Sequence, residues 1–328
     1  MSIEPSKLVN FIHKTVSIKQ NAVWKEVNYA ELVTTAASHD TYLETVNNET
    51  MPNADTLHYR LEKDTSVNAL FSAFLSLTKK HLKKLKGRKA ILIIDYTCEP
   101  FFGKTQDEWV HGYRPRSGSR GCYKFLAASL VMDDQRYFFY TKPVNTITDE
   151  AFEIMQIIAH ARLLCIRIKV ALIDRGIARS VENIAVLKDC GVRYLGLYQK
   201  YKNVKKIISG MKRKSINRKF RVKGVPTRLV IGKGKKKIVW VFVTDMMLGE
   251  FEKYLKLYKK RWNIETGFRV HDEARIKTKS TDVRIRYFLF LAAMLLYNVW
   301  KSLRIKISFK RFVIRIALVS VVRYEKPT

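Results

Sequence analysis

Residues 89–97, KAILIIDYT, form a continuous apolar run that ends in a single acid, Asp95. A strand with one wet face alternates apolar and polar residues. An unbroken run reads instead as a strand covered on both faces. The stretch RIKVALIDRG, 167–176, repeats the pattern and ends in Asp174. Two such strands imply an α/β class, a sheet with helices on its faces. A carboxylate at the end of a buried run is costly unless paired, hydrogen-bonded or bound to a cation. Capping the next turn is the simpler role for either aspartate alone. Their joint appearance favours a shared role.

Between the two runs, YKFLAASLVM (123–132) and RYFFYTKPV (136–144) read as strands joined by the acidic turn MDDQ. The polar, Gly/Arg-rich segment 99–121 precedes them. TDEAFEIMQIIAHARLL (148–164) reads as a helix with a Thr-Asp start and an apolar stripe at Phe152, Met155, Ile158 and Ala159. SVENIAVLKDCG (180–191) is a helix stopped by Gly191, and VRYLGL (192–197) is a further strand. The order is three strands, helix, strand, helix, strand, which is that of a ribonuclease H-like mixed sheet with flanking helices. In that order the strands ending in Asp95 and Asp174 are neighbours, with their carboxylates side by side. Two close carboxylates do not both ionise cheaply without a cation between them. Oxygen donors with no His or Cys nearby suit Mg2+ or Mn2+.

The net charge of +33 on 328 residues points to a polyanion, nucleic acid before an anionic membrane surface. The charge is concentrated: residues 201–240 hold fifteen Lys and Arg and no Asp or Glu. NRKFRVKG, TRLVIG and KKIVWVFVT alternate apolar and polar between glycine turns, so 201–245 reads as a basic β insertion. Lys235, Lys236 and Lys237 are its densest run and candidate DNA contacts. Residues 1–88 read as a helical N-terminal domain, with Pro52 and Asn53 as a helix start and Leu57 and Leu61 four apart. A helix-turn-helix reader or a plain helical bundle fits that pattern, the bundle being the simpler. Residues 89–200 and 246–328 are then two parts of one catalytic core.

The four cysteines lack CxxC spacing, which excludes a zinc knuckle and a disulfide framework and makes a reducing cytoplasm the simplest compartment. No signal peptide is read in MSIEPSKLVNF. The apolar run 287–300 is 14 residues, short of the roughly 20 that cross a bilayer, and reads as a buried core helix with no membrane partner.

Residues 251–276 read as one long helix containing YKKRWNIETGFR, 258–269. Tyr258, Arg261 and Glu265 fall on one stripe, beside a packed stripe of Leu257, Ile264 and Phe268. Glu265 is placed to join Asp95 and Asp174. Arg261 and Tyr258 could hold a phosphate next to them, the arginine through its charged fork. A surface ion pair between Arg261 and Glu265 is the ordinary reading of that spacing. Trp240 and Trp262 are read first as core residues and second as stacking platforms for an unpaired base. His111 and His271 are taken as polar surface residues or phosphate contacts.

With IDYTCEPFFGK around Asp95, LIDRGI around Asp174, and Tyr258, Arg261 and Glu265 as Y-x-x-R-x-x-x-E, the chain resembles DDE transposases of prokaryotic insertion sequences, the insertion-sequence-four-like group. The resemblance covers about residues 89–303 and includes the position of the β insertion. The lysine that follows the glutamate by seven residues in that signature is Asp272 here. The resemblance implies that Asp95, Asp174 and Glu265 are catalytic and hold Mg2+ or Mn2+. It implies DNA cleavage by hydrolysis and strand transfer by transesterification, through two metals roughly 3.5–4 Å apart. The implied partners are double-stranded DNA, at element ends and at the target, and a second copy in a homodimer. The protein would be nucleoid-associated when bound. A ribonuclease H-like nuclease or resolvase, and a decayed element that only binds DNA, are the rival readings.

Overall fold

The computed structural model describes residues 6–104, 107–112, 118–133, 135–234, 238–261, 267–268 and 270–322. The chain starts with four helices, α1 (Ser6–Thr15), α2 (Glu26–His39), α3 (Ala54–Asp64) and α4 (Val67–Leu82). Short polar side chains start the last two. Asn53 accepts from the Thr56 N–H at 2.9 Å and Ser66 from the Ala69 N–H at 3.2 Å. Gly87, at φ 77°, turns the chain into the sheet.

The sheet opens with β1 (Lys89–Phe101), the two-residue β2 (Val110–His111), β3 (Gly121–Met132) and β4 (Gln135–Val144). Helix α5 (Glu150–Leu163), β5 (Arg167–Ile173), the short α6 (Arg175–Ala178), α7 (Val181–Asp189) and β6 (Tyr194–Leu197) follow. β3 lies antiparallel between β1 and β4, while β5 and β6 run parallel to β1 on its other side. The expected neighbours, β1 and β5, are therefore in contact.

Residues 202–209 form a helix that the sequence pattern did not announce, α8 (Lys202–Ser209). The three alternating pieces are strands β7 (Ser215–Val222), β8 (Val225–Lys233) and β9 (Val239–Thr244). Lys223 and Gly224 close the β7–β8 hairpin, both at positive φ (44° and 93°), as a tight primed turn requires. β9 pairs with β6, so these strands continue the main sheet in the order β2-β3-β1-β5-β6-β9-β8-β7, with β4 also on β3.

The segment 251–276 departs from the single long helix expected. Helix α9 (Phe251–Lys259) ends in a tightened turn, with the Lys260 and Arg261 N–H groups bonded to the carbonyls of Leu257 and Tyr258 at 3.1 and 2.8 Å. Residues 267–268 and 270–272 are helical, and residues 275–276 belong to no helix or strand. Leu257 and Phe268 pack into the core, and Ile264 lies outside the described residues. The chain closes with α10 (Val283–Leu303) and α11 (Phe309–Val322).

Two apolar clusters lie on opposite faces of the sheet. One joins α1–α4, α9, α10 and α11 to Ile93 of β1 and Leu172 of β5. The other joins α5, α6 and α7 to Ile94 and Ile173. Consecutive residues of one strand facing two cores is what the unbroken apolar runs required. α10 is long and apolar enough to cross a membrane by length and composition, yet 83% of its apolar window is buried against the rest of the fold.

Two further expectations are corrected. α5 buries Glu153, Ile154, Ile157, Ile158 and Ala161, whereas Phe152 and Met155 are 49% and 40% exposed. The turn of the helix follows Glu153, whose carboxylate is held inward by the Tyr140 hydroxyl (2.5 Å) and the Lys142 ammonium (2.6 Å). His271 is not a surface residue: it is 1% exposed, with its ring 4.9 Å from that of Phe290.

Gly196 of β6 lets α6 sit close to the sheet. A Cβ there would lie 2.7 Å from the Ala178 Cβ and 2.9 Å from Ile173. Gly196→Ala is expected to lower stability by about 1–3 kcal/mol, as other overpacked cores do. Urea unfolding followed by circular dichroism checks this, and an unchanged midpoint would mean that α6 gives way freely.

Candidate active site

The parallel register of β1 and β5 ends at Ile94 opposite Ile173. The next residues, Asp95 and Asp174, are thus adjacent positions at the end of that pairing. Side chains alternate along a strand, so the Asp95 carboxylate falls on the face of Ile93, the face covered by α9 and α10, while Asp174 follows the last residue of β5 as the cap of α6.

Asp174 caps α6, its Oδ1 accepting from the Ile177 N–H at 2.9 Å. The ordinary capping role is therefore real for this residue. It occupies one of roughly four acceptor positions on a carboxylate, so a ligand role is compatible with it. Asp95 is 7% exposed, and its Oδ1 accepts from the Tyr96 N–H at 2.9 Å. Its Oδ2 accepts from Arg261 Nη1 at 2.5 Å, across 166 residues of sequence.

Arg261 reaches Asp95 because Tyr258, three residues earlier, anchors the end of α9. The Tyr258 ring packs against Phe242 (5.0 Å) and Trp240 (6.3 Å) of β9, and the Arg261 guanidinium lies 5.4 Å from its centroid. Burial pushes the Tyr258 phenol well above its ordinary range. Asp174 and Asp95 add to that shift and Arg261 opposes it. The hydroxyl therefore stays protonated near neutral pH. Trp240 packs in this cluster, as its first reading required.

A cavity of about 310 Å³ opens beside these residues. Arg175, Lys200 and Arg261 line it together with Tyr198, Trp240 and Tyr258, three bases with no acid among the lining residues. Arg175 and Lys200 were missed in the sequence. The signal was present, since each follows closely on the end of a strand, as Asp174 does. Behind the site, on the other face, the Tyr96 hydroxyl donates to Glu150, which also accepts from the Asn183 amide. Burial first, then Glu150, raise the Tyr96 phenol, and Asp174 contributes.

Glu265, Trp262, Lys235, Lys236 and Lys237 lie outside the described residues. Among the described residues no three His, Cys, Asp or Glu converge as a metal-binding group. Asp272, in place of the signature lysine, is 55% exposed at its side chain and lies 3.5 Å from His271 Nδ1.

The Asp95–Arg261 pair is 9% and 11% exposed, so removing one partner strands the other in a dry setting. In buffer with a chelator, Asp95→Asn and Arg261→Gln are each expected to cost about 3 kcal/mol. The double variant should lose at least about 1 kcal/mol less than the sum. Strictly additive losses in a denaturant-based double-mutant cycle would show that the two groups are not coupled.

Residues 86–299 match the family model described as the transposase DDE domain, well over half of the 328 residues. Among solved structures the chain is similar to the cryo-EM structure of the piggyBac transposase synaptic complex with hairpin DNA. The TM-score is 0.61 at 14% identity, covering 99% of this chain and 80% of that one. At that identity the likeness speaks for the fold. A search of curated proteins found no match. Asp95 thus lies within β1, which runs on to Phe101 beside β3, rather than at its end as the apolar run suggested; with Asp95 and Asp174 just past the last β1–β5 partners and a family match spanning both, the chain belongs to the transposase DDE domain family.

Proposed function

We propose that this protein binds the ends of an insertion sequence and catalyses metal-dependent cleavage and strand transfer of DNA, with Asp95, Asp174 and Glu265 as its catalytic acids. The observation that carries the reading is that Asp95 and Asp174 take adjacent positions just past the last β1–β5 partners, with the Arg261 guanidinium bonded to Asp95 and Tyr258 near enough for both acids to raise its phenol. The strand order β4-β3-β1-β5-β6, with the first two antiparallel steps and then two parallel ones, supports a ribonuclease H-like core. Tyr258 and Arg261 support the insertion-sequence-four-like group. The division at residues 88, 200 and 245 follows the same reading, with the N-terminal helices as the end-binding region.

The donor set fits a hard divalent cation. Both donors described are carboxylates, and Asp95 already has a cationic group on one oxygen. Asp95 and Asp174 would hold Mg2+ or Mn2+, with Glu265 as the third ligand. Bound there, the metal supplies charge neutralisation of a phosphodiester and a more acidic water. Arg261 is poised between Asp95 and the cavity, where its fork can pass from carboxylate to phosphate. Tyr258 offers a neutral O–H to the same phosphate. Arg175 and Lys200 line the path of the strand and hold its neighbouring phosphates. The double-stranded DNA and the homodimer around it follow from the same reading.

Glu265→Gln and Asp174→Asn keep size, and the asparagine keeps the helix cap. Each is expected to lower cleavage of the element's own ends by orders of magnitude while end binding persists, because affinity comes mainly from basic surface. A gel assay for nicking and joining, beside a binding titration, reads both. Wild-type cleavage by both variants would remove these acids from the chemistry. Cleavage without joining in the wild type would favour the nuclease reading, and binding without cleavage the decayed element.

The insertion has its own test. Replacing Lys235, Lys236 and Lys237 with glutamine should weaken DNA binding and reduce the slope of log K against log salt by up to about 0.9 for each phosphate that is no longer neutralised. An unchanged slope would make this run a solvated surface.

A further inference from the structure

A second cavity, of about 570 Å³, lies further along the same strand, between Tyr42, the end of β1 and the 275–281 segment. Glu99 on its wall is four residues beyond Asp95, so it faces the same side of the sheet at a distance of about 13 Å. That is about four nucleotide steps of B-form DNA. Four bases line the cavity, Arg275, Lys277, Lys279 and Arg286, against the single acid Glu99.

The walls are tied down. Glu99 faces Arg275 Nε at 3.5 Å and Arg286 Nη1 at 3.7 Å, and Lys277 pairs with Asp40 at 3.1 Å. The Lys279 backbone N–H donates to Glu44 at 2.8 Å, and Arg286 Nε donates to the Ser280 carbonyl at 2.7 Å. Among the described residues nothing pairs with the Lys279 ammonium, which is exposed. Two aromatic rings also border the space. Phe102 is 57% exposed and Tyr42 42%, and the Tyr42 backbone is bridged to Lys277. Single exposed apolar residues are common. Two rings over one basic cavity, on the strand that carries Asp95, are the combination that binds unpaired nucleotides: rings for bases, cations for phosphates.

We infer that this cavity receives an unpaired nucleotide of the DNA strand held at Asp95 and Asp174, its base on Phe102 or Tyr42 and its phosphate on Lys279 and Arg275. The inference rests on the reading of the two acids as the cleavage site and adds a separate, sequence-tolerant contact to it. Neither ring belongs to the stripe of Tyr258 and Arg261, and neither is among the groups that the cleavage reading assigns to the metal or to the scissile phosphate.

The test uses the full chain and two probes, a blunt duplex and the same duplex with a short thymidine tail at one 3′ end. The wild type is expected to bind the tailed duplex about tenfold more tightly, the scale of one base-stacking interaction. Phe102→Ala combined with Tyr42→Ala should bring that ratio close to one with blunt-duplex affinity unchanged, and Phe102→Trp should restore it when Tyr42 is intact. Lys279→Ala should weaken the tailed probe more than the blunt one. Equal wild-type affinity for both probes, or a ratio that survives removal of both rings, overturns the inference. Cleavage measured alongside separates the two readings. A wild type that cleaves but shows no tail preference loses the cavity and keeps the acids. One that prefers the tail through the rings but never cleaves keeps the cavity as a single-strand binding site and loses the cleavage site.

Discussion

The parallel pairing of β1 with β5 sets two acids at neighbouring positions, just past its last partners, in a sheet that is covered on both faces. Ile94 and Ile173 are the last partners, and the acids come next. Like charges in that setting need compensation, and the surrounding structure supplies it from several directions. The α6 backbone donates to Asp174, the Tyr96 N–H donates to Asp95, and Arg261 closes on the outer oxygen of Asp95. Tyr258 is held neutral beside them by burial. The arrangement is stable with a guanidinium present and has the donor chemistry to take a metal.

Delivering Arg261 to that place is a task for the far end of the sheet. α9 packs on β6, β7 and β8, and its first residue, Phe251, lies so close to Gly232 of β8 that a Cβ there would sit 2.4 Å from the ring. Phe242 and Trp240 of β9 then seat Tyr258. The basic strands thus have two roles. They carry positive charge, and they form the surface against which α9 is set. A change in the β6–β9 pairing would move Arg261 relative to Asp95 even though no residue of the site had been altered.

Charge is arranged in the same sense. The described acids near the site are inside, each with a partner, while bases line the space in front of them. Lys200 and Arg175 extend that positive wall from Arg261. Four residues further along β1, Arg275 and Arg286 surround Glu99 and leave an excess of positive charge around a second cavity. A phosphate backbone passing along this face would meet cations on both sides of the two aspartates.

The amino-acid sequence by itself determined the strands, their two-sided burial and the adjacency of Asp95 and Asp174, because these follow from local periodicity and a strand order with few alternatives. It also marked α10 as a core helix and Asn53 as a helix start. It misread the inward face of α5, because a charged residue, Glu153, is buried there by partners on β4 that no local pattern reveals. It ran α9 too far, because helix-forming residues continue past Lys259 while the chain turns. Which base meets Asp95, how Lys200 and Arg175 come to line one cavity, and how Tyr42 reaches the 275–281 segment were decided only in the tertiary structure. Those interactions join residues up to 237 positions apart (Asp40 and Lys277), and their energy depends on burial and on which neighbours desolvate them, neither of which is a property of any short stretch of chain.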